Sequence, residues 1–425
     1  MTNNGFEVKY ISYPDPPRGW IDGVYHERER TVGEAEGMTY RCRRFREREE
    51  TGWGVYDYHE GLCFKFLSAA CDFEIKAVLR SHSGACRISA YCEGVCVFSG
   101  AELSDGEPAE LSFRVHPCDM KSEICFSPEL DEGCDEVEIM LEVTDISYEM
   151  LAERAPGRKP TLFLASDSTV QTYDPYYYPQ TGWGEVLYKF FRGADLVREY
   201  RPEGSTYSQC RAYELPEIKI ENRSIGGRSS RSFFLEGKLS ELLSGALPGD
   251  YLMIQFGHND CTKARPNRYA PPADYEEWIK KYIRAAFGRG MLPVLVTPVM
   301  RRNCDENGKF SPSFSEYDEK LRSLSVEYDA PLLDLGATSL SVCESLGTDR
   351  SRRLYLWTDP DEYEGAYAKG VSDNTHLSRT GALVYAGEVA KLITESNDKR
   401  LAPLSELVDP ERRDMIREAL HVDGI

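Results

Sequence analysis

The pattern of apolar and polar positions changes near residue 150. Before that point apolar residues mostly alternate with polar ones, as in 63–67, 73–79, 87–91 and 137–143. Alternation at period two, with Gly, Pro and Asp clusters between the segments, is typical of strands that bury one face. Residues 1–150 are therefore predicted to form an all-β sandwich domain. Residues 151–160, which contain two prolines and a glycine, are predicted to be a linker.

Beyond the linker, short apolar runs alternate with segments of helical period. The predicted strands are 161–165, 217–221, 250–256, 292–297 and 331–335, and the clearest predicted helices are 275–287 and 316–328. Long loops are expected around 169–181 and 343–374, and a C-terminal helix at 410–421. This alternation predicts an α/β domain over 161–425, with a parallel five-stranded sheet flanked by helices on both faces. A flavodoxin-like strand order of 2-1-3-4-5 is the working hypothesis.

Composition narrows the classes of partner. The 425 residues include 41% hydrophobic ones, enough for two domain cores, and the net charge of −20 argues against nucleic acid or an anionic membrane as a partner. The first seven residues have neither a basic nor an apolar segment, so a cytoplasmic location is predicted if the native chain starts here. The thirteen cysteines are expected to be reduced, and none has the spacing of a zinc site, so no metal or other cofactor is predicted.

Four polar blocks carry the candidate chemistry. Three of them, 166–168, 222–229 and 257–260, follow the first three predicted strands in order, and a fourth, 372–378, precedes a helical pattern. In the order 2-1-3 the carboxyl ends of the first three strands are neighbours, so their blocks are expected to converge on one site. Each block taken alone could also be an ordinary turn or a helix cap.

The residue types in these blocks suit ester hydrolysis. Ser168 is the candidate nucleophile and needs a base, which His376 can supply while Asp373, three residues earlier, orients its ring. The Gly227 N–H and the Asn259 amide, with the Ser168 N–H, are candidate oxyanion donors. His258 is interpreted as structural because no carboxylate is spaced to orient it. His421, near the chain end, is interpreted as a surface residue.

Taken together, the blocks in residues 161–391 resemble the SGNH (GDSL-type) hydrolases, and specifically the rhamnogalacturonan acetylesterase family. The resemblance rests on 161–169 with Gly182-Trp183-Gly184-Glu185 after it, on 222–229 with Gly227 at the oxyanion position, on 256–260, and on Asp373-x-x-His376. It implies the SGNH hydrolase fold and a serine esterase mechanism without metal. Ser166 stands where the family usually has glycine, and its Cβ is expected to shift the nucleophile slightly and lower efficiency.

The resemblance implies that the substrate is an acetylated, pectic oligosaccharide. Aromatic residues in the loops beside Ser168 and Asp373 are expected to border the site, although packing the loops down is the alternative role for them: Tyr173, Tyr176, Tyr177, Tyr178, Trp357, Tyr363 and Tyr367. A uronate substrate would be repelled by the net negative charge of the chain. Four arginines are candidates to offset that repulsion locally: Arg228, Arg231, Arg301 and Arg302. Arg228, Tyr177 and Trp357 are the predicted substrate-binding residues.

Other functions stay open at this point. An SGNH esterase acting on xylan fragments or lipids is one alternative, and a carbohydrate-binding protein with low turnover is another. The β domain could bind carbohydrate or serve only as a packing partner. The sequence predicts no oligomeric state.

Overall fold

The computed structural model describes residues 6–15, 30–31, 39–48, 55–67, 71–92, 95–118, 121–131, 133–203, 205–412 and 414. The chain divides into two compact units. The first comprises residues up to Arg154 together with Phe234–Ser244 and Arg265–Asn267, and the second comprises the remainder. The inclusion of the two later segments in the first unit was not anticipated by the predicted boundary at 151–160.

Every described element before residue 151 is a β-strand, and every described strand pairing there is antiparallel. The strands are β1 (Phe6–Asp15), β2 (Arg30–Thr31), β3 (Thr39–Arg48), β4 (Val55–Leu67), β5 (Phe73–Ser81), β6 (Cys86–Cys92), β7 (Val95–Leu103), β8 (Pro108–Val115), β9 (Lys121–Pro128) and β10 (Glu136–Met150). Their main path runs β7-β6-β9-β4-β3-β10-β5-β8.

The two ends of this path share one core. The ring of Phe98 on β7 lies 5.9 Å from that of Phe113 on β8, and Phe113 also contacts Phe126 on β9 at 6.3 Å. The burial pattern of β5, in which every second residue is buried, is the one that its alternating sequence predicts. The strands thus form one hydrogen-bonded network over a shared core, and the predicted β-sandwich form stays a prediction.

The second unit contains a seven-stranded mixed sheet. Its strands are β11 (Thr161–Ala165), β12 (Arg198–Tyr200), β13 (Arg211–Glu214), β14 (Lys219–Asn222), β15 (Tyr251–Ile254), β16 (Leu292–Val296) and β17 (Leu332–Leu333), in the order β12-β13-β14-β11-β15-β16-β17. The last five in this order are parallel, which confirms the predicted order 2-1-3-4-5. The two antiparallel strands, β12 and β13, were not predicted, because they are only three and four residues long.

The described helices are α1 (Trp183–Val186), α2 (Ser230–Leu235), α3 (Lys238–Ser244), α4 (Pro272–Phe287), α5 (Ser315–Glu327), α6 (Leu335–Ser351), α7 (Arg379–Glu395) and α8 (Ala402–Leu407). Leu162 and Leu164 of β11 belong to one hydrophobic core, with residues of α1, α6, α7 and α8. The buried residues of α4 and α5 lie outside that core, and these helices contact β15–β17. Because side chains alternate along a strand, both faces of the sheet are covered, as predicted.

One predicted loop is wrong. Residues 343–374 contain the rest of α6 and a hairpin of β18 (Tyr355–Pro360) and β19 (Lys369–Leu377). Helix α6 is kinked at Gly347, where the backbone is not helical. The predicted helix at 410–421 falls mostly outside the described residues, and so does His421. Among the residues that the structure describes, no helix is long and apolar enough to cross a membrane.

Candidate active site

The turn after β11 presents Ser168. The Asp167 carboxylate accepts hydrogen bonds from the N–H and the hydroxyl of Thr169, both at 2.9 Å, and so folds the backbone around the serine. The Tyr173 hydroxyl donates to the Ser168 carbonyl at 2.8 Å. Ser168 is 9% exposed, so its hydroxyl lies at the edge of solvent on a backbone that is held from both sides.

Tyr173 is in turn held by α1. Glu185 accepts the Tyr173 N–H at 3.0 Å and pairs with Arg379 of α7 at 3.2 Å. Burial raises the pKa of Glu185 to about 7, against the lowering effect of these two partners. The Gly-Trp-Gly-Glu segment noted in the sequence therefore braces the nucleophile's turn through Tyr173.

Ser166 is hydrogen-bonded in its position, and its effect on the nucleophile stays a prediction. Its hydroxyl donates to the Gln255 carbonyl at 2.5 Å, and the Gln255 amide bonds both Ser166 and Thr169. The Trp183 indole N–H donates to the same Gln255 side chain at 3.1 Å. Ser166 does not have a positive φ, so a side chain at this position causes no left-handed backbone strain. The serine thus joins a buried network beside the nucleophile's turn.

Strand β19 brings the candidate base and its orienting acid to Ser168. His376 Nε2 lies 3.0 Å from Ser168 Oγ, and His376 Nδ1 lies 2.7 Å from Asp373 Oδ2. The other oxygen of Asp373 accepts the N–H groups of Thr375 and His376. Burial alone would raise the pKa of Asp373, but the hydrogen bond and charge of His376, with the two backbone N–H groups, outweigh it and lower that pKa. Asp373 does not cap α7, since the Ser378 hydroxyl does so.

The candidate oxyanion donors lie around the same serine. A Cβ built at Gly226 would come within 3.5 Å of Ser168 Cβ, which places the 222–229 block against the nucleophile. Gly227 has φ +76°, and a Cβ there would meet the Arg268 guanidinium at 3.2 Å. Within the part of the chain that the structure describes, neither the Ser168 N–H nor the Gly227 N–H has an acceptor. Asn259 donates one amide hydrogen to Arg228 O at 2.9 Å. Its second amide hydrogen can still be donated to an oxyanion.

A second aspartate–histidine pair lies beneath the nucleophile. Asp167 Oδ2 is 3.3 Å from His258 Nδ1, and both side chains are almost fully buried. Burial would raise the pKa of Asp167, but the imidazole of His258 beside it and the hydrogen bonds from Thr169 lower that pKa. His258 therefore does have a carboxylate partner, contrary to the sequence interpretation, because the partner comes from another strand. Its ring packs edge-on against Phe314, with centroids 4.5 Å apart.

Asp260 is a further buried carboxylate near Asp167. We call Asp167, His258 and Asp260 the buried layer. Its Oδ1 accepts the N–H of Ser230 at 3.0 Å and the Ser230 hydroxyl at 2.5 Å. Its Oδ2 meets no hydrogen-bond donor among the described residues. Burial raises the pKa of Asp260 to about 7, and the negative charge of Asp167 adds to that effect.

The four candidate cations have different surroundings. Arg302 is 5% exposed and its three nitrogens bond Ser351, Asn374 and Thr348, so it fixes the chain beside Asp373 and is wrong as a substrate contact. Arg301 donates to the His258 carbonyl at 2.9 Å and lies over Phe314. Arg228, partly exposed, donates to Gly226 O at 3.0 Å and remains the candidate nearest the oxyanion donors. Arg231 is also partly exposed.

The aromatic candidates divide in a similar way. Trp357 donates its indole N–H to Asn374 Oδ1 at 3.0 Å, and Arg302 and Arg352 lie 5.7 and 5.0 Å from its ring, so part of its role is to hold the hairpin. Tyr177 is 36% exposed and contacts the Tyr173 ring at 6.1 Å. A substrate contact by Tyr177 or Trp357 stays a prediction.

Several residues of the site were not predicted from the sequence. They are Gln171, which accepts the Gly226 N–H at 2.5 Å, Tyr207, which donates to Gln171 at 3.0 Å, and Gln255 in the Ser166 network. All three are uncharged residues with no characteristic spacing, so only the strand pairing could have revealed them. Among the described residues, no group of three or more His, Cys, Asp and Glu side chains is arranged to hold a metal ion.

The α/β fold and the Ser168–His376–Asp373 arrangement are typical of an ester hydrolase. Comparison with known proteins supports this class. The family model for the GDSL-like Lipase/Acylhydrolase family matches residues 163–389, more than half of the chain. The chain belongs to this family and is an esterase.

Two named relatives are similar to this chain over nearly their whole length. The chain is 35% identical over 261 residues to the rhamnogalacturonan acetylesterase RhgT of Bacillus subtilis (strain 168), covering 61% of this chain and 99% of that protein. It is 34% identical over 253 residues to the probable rhamnogalacturonan acetylesterase YesY of the same organism, covering 59% and 98%. A solved structure of the Bacillus subtilis protein YxiM is 22% identical, with a TM-score of 0.43, and covers 78% of this chain and 79% of that one.

Proposed function

We propose that this chain removes acetyl groups from pectic, rhamnogalacturonan-type oligosaccharides by a Ser-His-Asp mechanism. The observation that carries the proposal is the unbroken chain of two hydrogen bonds, 3.0 Å from Ser168 to His376 and 2.7 Å from His376 to Asp373. The names of the two Bacillus relatives support the acetyl group and the sugar class.

Acylation begins when Ser168 Oγ attacks the acetyl carbonyl carbon. His376 Nε2 takes the hydroxyl proton, and Asp373, kept ionised by its lowered pKa, holds Nδ1–H and stabilises the imidazolium. The carbonyl oxygen becomes negative, and the N–H groups of Ser168 and Gly227 with the Asn259 amide donate to it. The C–O bond to the sugar then breaks, and the sugar oxygen takes the proton from His376. The acetyl group is left on Ser168.

Deacylation repeats these roles with water. His376 Nε2 removes a proton from water as its oxygen attacks the acetyl-serine carbonyl. The same three donors hold the second oxyanion. The bond to Ser168 Oγ breaks, the serine recovers its proton from His376, and acetate leaves.

Arg228 is the residue proposed to recognise a uronate. A net charge of −20 disfavours an anionic substrate at long range, so a local cation has to offset it. Arg228 is a partly exposed residue on the loop that carries Gly227. An arginine can donate two parallel hydrogen bonds to one carboxylate, a geometry that suits a galacturonate unit.

The substrate class is tested by kcat/KM on acetylated galacturonate-containing oligosaccharides, acetylated xylo-oligosaccharides and a long-chain acyl ester. The first class is expected to be preferred, and Arg228→Ala to lower kcat/KM on it by about tenfold, since a charged hydrogen-bonding pair is lost. The same variant should leave kcat/KM on a small aryl acetate within about twofold. Arg114→Ala, which removes an exposed arginine of β8, is the matched control.

Other outcomes discriminate the alternatives. A preference for the neutral xylo-oligosaccharide that Arg228→Ala leaves unchanged would refute the pectic substrate and keep the esterase. A preference for the long acyl chain would favour a lipid substrate. Failure of Ser168 to react with a fluorophosphonate probe, together with no acetate release, would favour a binding protein.

A further inference from the structure

The tyrosines near the site fall into an inner and an outer group. In the inner group the Tyr173 hydroxyl bonds the Ser168 carbonyl and the Tyr367 hydroxyl bonds Gln180. The outer group is exposed. Of the eight large apolar side chains that are exposed among the described residues, three are consecutive here: Tyr176 at 58%, Tyr177 at 36% and Tyr178 at 51%. We call these three residues and Tyr363 the tyrosine platform.

The tyrosine platform is fixed in place although it is exposed. Asp174 accepts the Tyr176 N–H at 2.9 Å, and the Tyr176 and Tyr177 rings meet edge-on at 5.3 Å. Tyr178 meets Tyr363, on the chain between β18 and β19, at 5.6 Å. Rings held in this way lose little conformational entropy when a ligand binds, which favours recognition.

A glycine allows the two segments of the tyrosine platform to approach each other. Gly365 has φ +76°, and a Cβ there would lie 2.4 Å from the Tyr176 carbonyl oxygen. Any side chain at this position would push the segment 173–178 away from the chain between β18 and β19. The close packing is thus built into the sequence at Gly365, and it keeps Tyr363 beside Tyr178.

The tyrosine platform begins next to the catalytic residues. The Tyr177 ring lies 6.1 Å from that of Tyr173, whose hydroxyl holds the Ser168 carbonyl. Burial raises the pKa of Tyr367 to about 12, and the further contributions of Asp373 and Tyr177 show that both residues are near it. A ligand on the exposed rings would therefore be contiguous with a group bound at Ser168.

The two segments that carry the tyrosine platform are acidic. Its two segments, 173–178 and 359–369, carry one lysine, Lys369, against five carboxylates: Asp174, Asp359, Asp361, Glu362 and Glu364. All five carboxylates are on exposed residues. A uronate placed on these rings would meet like charges, whereas a neutral pyranose can lay its C–H face on tyrosine without that cost.

We propose that the tyrosine platform is a subsite for a neutral pyranose unit of the same oligosaccharide whose acetylated residue sits at Ser168. The inference rests on the proposed function, which supplies the oligosaccharide. With Arg228 as the contact for a uronate, the site would match a chain that contains both neutral and acidic sugars. An all-uronate chain would fit one part and be repelled by the other.

Binding can be measured apart from turnover in the full-length Ser168→Ala variant. Calorimetry would compare a non-acetylated oligosaccharide of alternating neutral sugar and galacturonate with an oligogalacturonate of the same length. The alternating chain is expected to bind about tenfold more tightly, and Tyr178→Ala to remove about that factor, as the loss of one aromatic contact predicts. Tyr178→Phe keeps the ring and should keep the affinity. The Glu362→Gln/Glu364→Gln double variant should tighten binding of the oligogalacturonate.

Three results would overturn the subsite. They are equal affinity for the two chains with no effect of Tyr178→Ala, no binding of either chain, and equal losses in Tyr178→Ala and Tyr178→Phe. Turnover by the chain with Ser168 intact separates this inference from the proposed function. Binding that depends on Tyr178, without acetate release from the acetylated chain, would refute the function and keep the subsite.

Discussion

The site contains two aspartate–histidine pairs made of the same residue types, Asp373–His376 and Asp167–His258. In the first, Nδ1 and Oδ2 are 2.7 Å apart, both side chains are 28% exposed, and His376 Nε2 faces Ser168 Oγ. In the second the atoms are 3.3 Å apart and the side chains are 3% and 0% exposed. Neither ring nitrogen of His258 has a hydrogen-bond partner among the described residues, and neither has Asp167 Oδ2.

The difference between the pairs shows which feature makes a histidine a catalytic base. Both histidines have a carboxylate partner, so the partner alone does not make a base. Only His376 points its second nitrogen at a hydroxyl that is accessible to substrate. His258 points its second nitrogen into the interior and packs its ring on Phe314. The buried pair instead supports Asp167, whose other oxygen folds the turn that presents Ser168.

The largest effect is expected at the first pair. Ser168→Ala, His376→Ala and the double variant should each lose at least about three orders of magnitude in kcat on an aryl acetate, because the serine and its base act as one unit. The losses should be nearly equal in the three variants, and circular dichroism should show each of them folded. Additive losses, or near wild-type turnover in any of the three, would contradict the assigned roles.

A substitution in the second pair is expected to lower the stability of the fold and to leave the catalysed reaction nearly unchanged. His258→Gln removes the ring that packs on Phe314 and the group 3.3 Å from the buried Asp167 carboxylate, which is expected to lower the free energy of unfolding by about 3–5 kcal/mol. In the folded protein kcat should stay within about tenfold of wild type, since His258 touches no reacting atom. Denaturant unfolding and kcat measured below the transition provide the two readouts. A loss of kcat as deep as that in His376→Ala would show that both pairs take part in the reaction.

The two pairs also differ in how far the sequence could predict them. Asp373 and His376 are three residues apart on one strand, so their contact is visible in a local motif. Asp167 and His258 are far apart in sequence and meet only because β11 and β15 are neighbours. The parallel strand order was predictable, yet no spacing in the chain links these two residues. The same limit explains why Gln171 and Gln255 were missed.

Other expectations depended on surroundings that no residue type discloses. Arg302 looked like a cation available to substrate, but three acceptors from distant parts of the chain occupy its guanidinium. The hydrogen bond from the Ser166 hydroxyl to the Gln255 carbonyl could not be predicted from the sequence either. The strands β12 and β13 are only three and four residues long, and pairing in the sheet alone defines them. The cytoplasmic location and the domain bounds at 151–160 stay predictions.

The smallest effect concerns Asp260, which shares the buried layer with the second pair. Its pKa is raised from an ordinary 3.8 to about 7, so between these values the folded protein holds a proton that the unfolded chain has released. By linkage the stability from this group is complete below about pH 4 and is lost as the pH rises through about 7. Asp260→Asn abolishes the titration, while its Oδ1 can still accept from Ser230.

Between pH 5 and pH 8, therefore, the variant should gain stability relative to wild type by about 3 kcal/mol, since two pH units separate pH 5 from that pKa. Urea unfolding at the two pH values measures this difference, and Asp349→Asn, an exposed substitution on α6, should show no such gain. An unchanged difference across the range would mean that Asp260 is ionised in the fold. The layer under the nucleophile would then hold two negative charges, Asp167 and Asp260, and the pairing of His258 with Asp167 alone could not account for its stability.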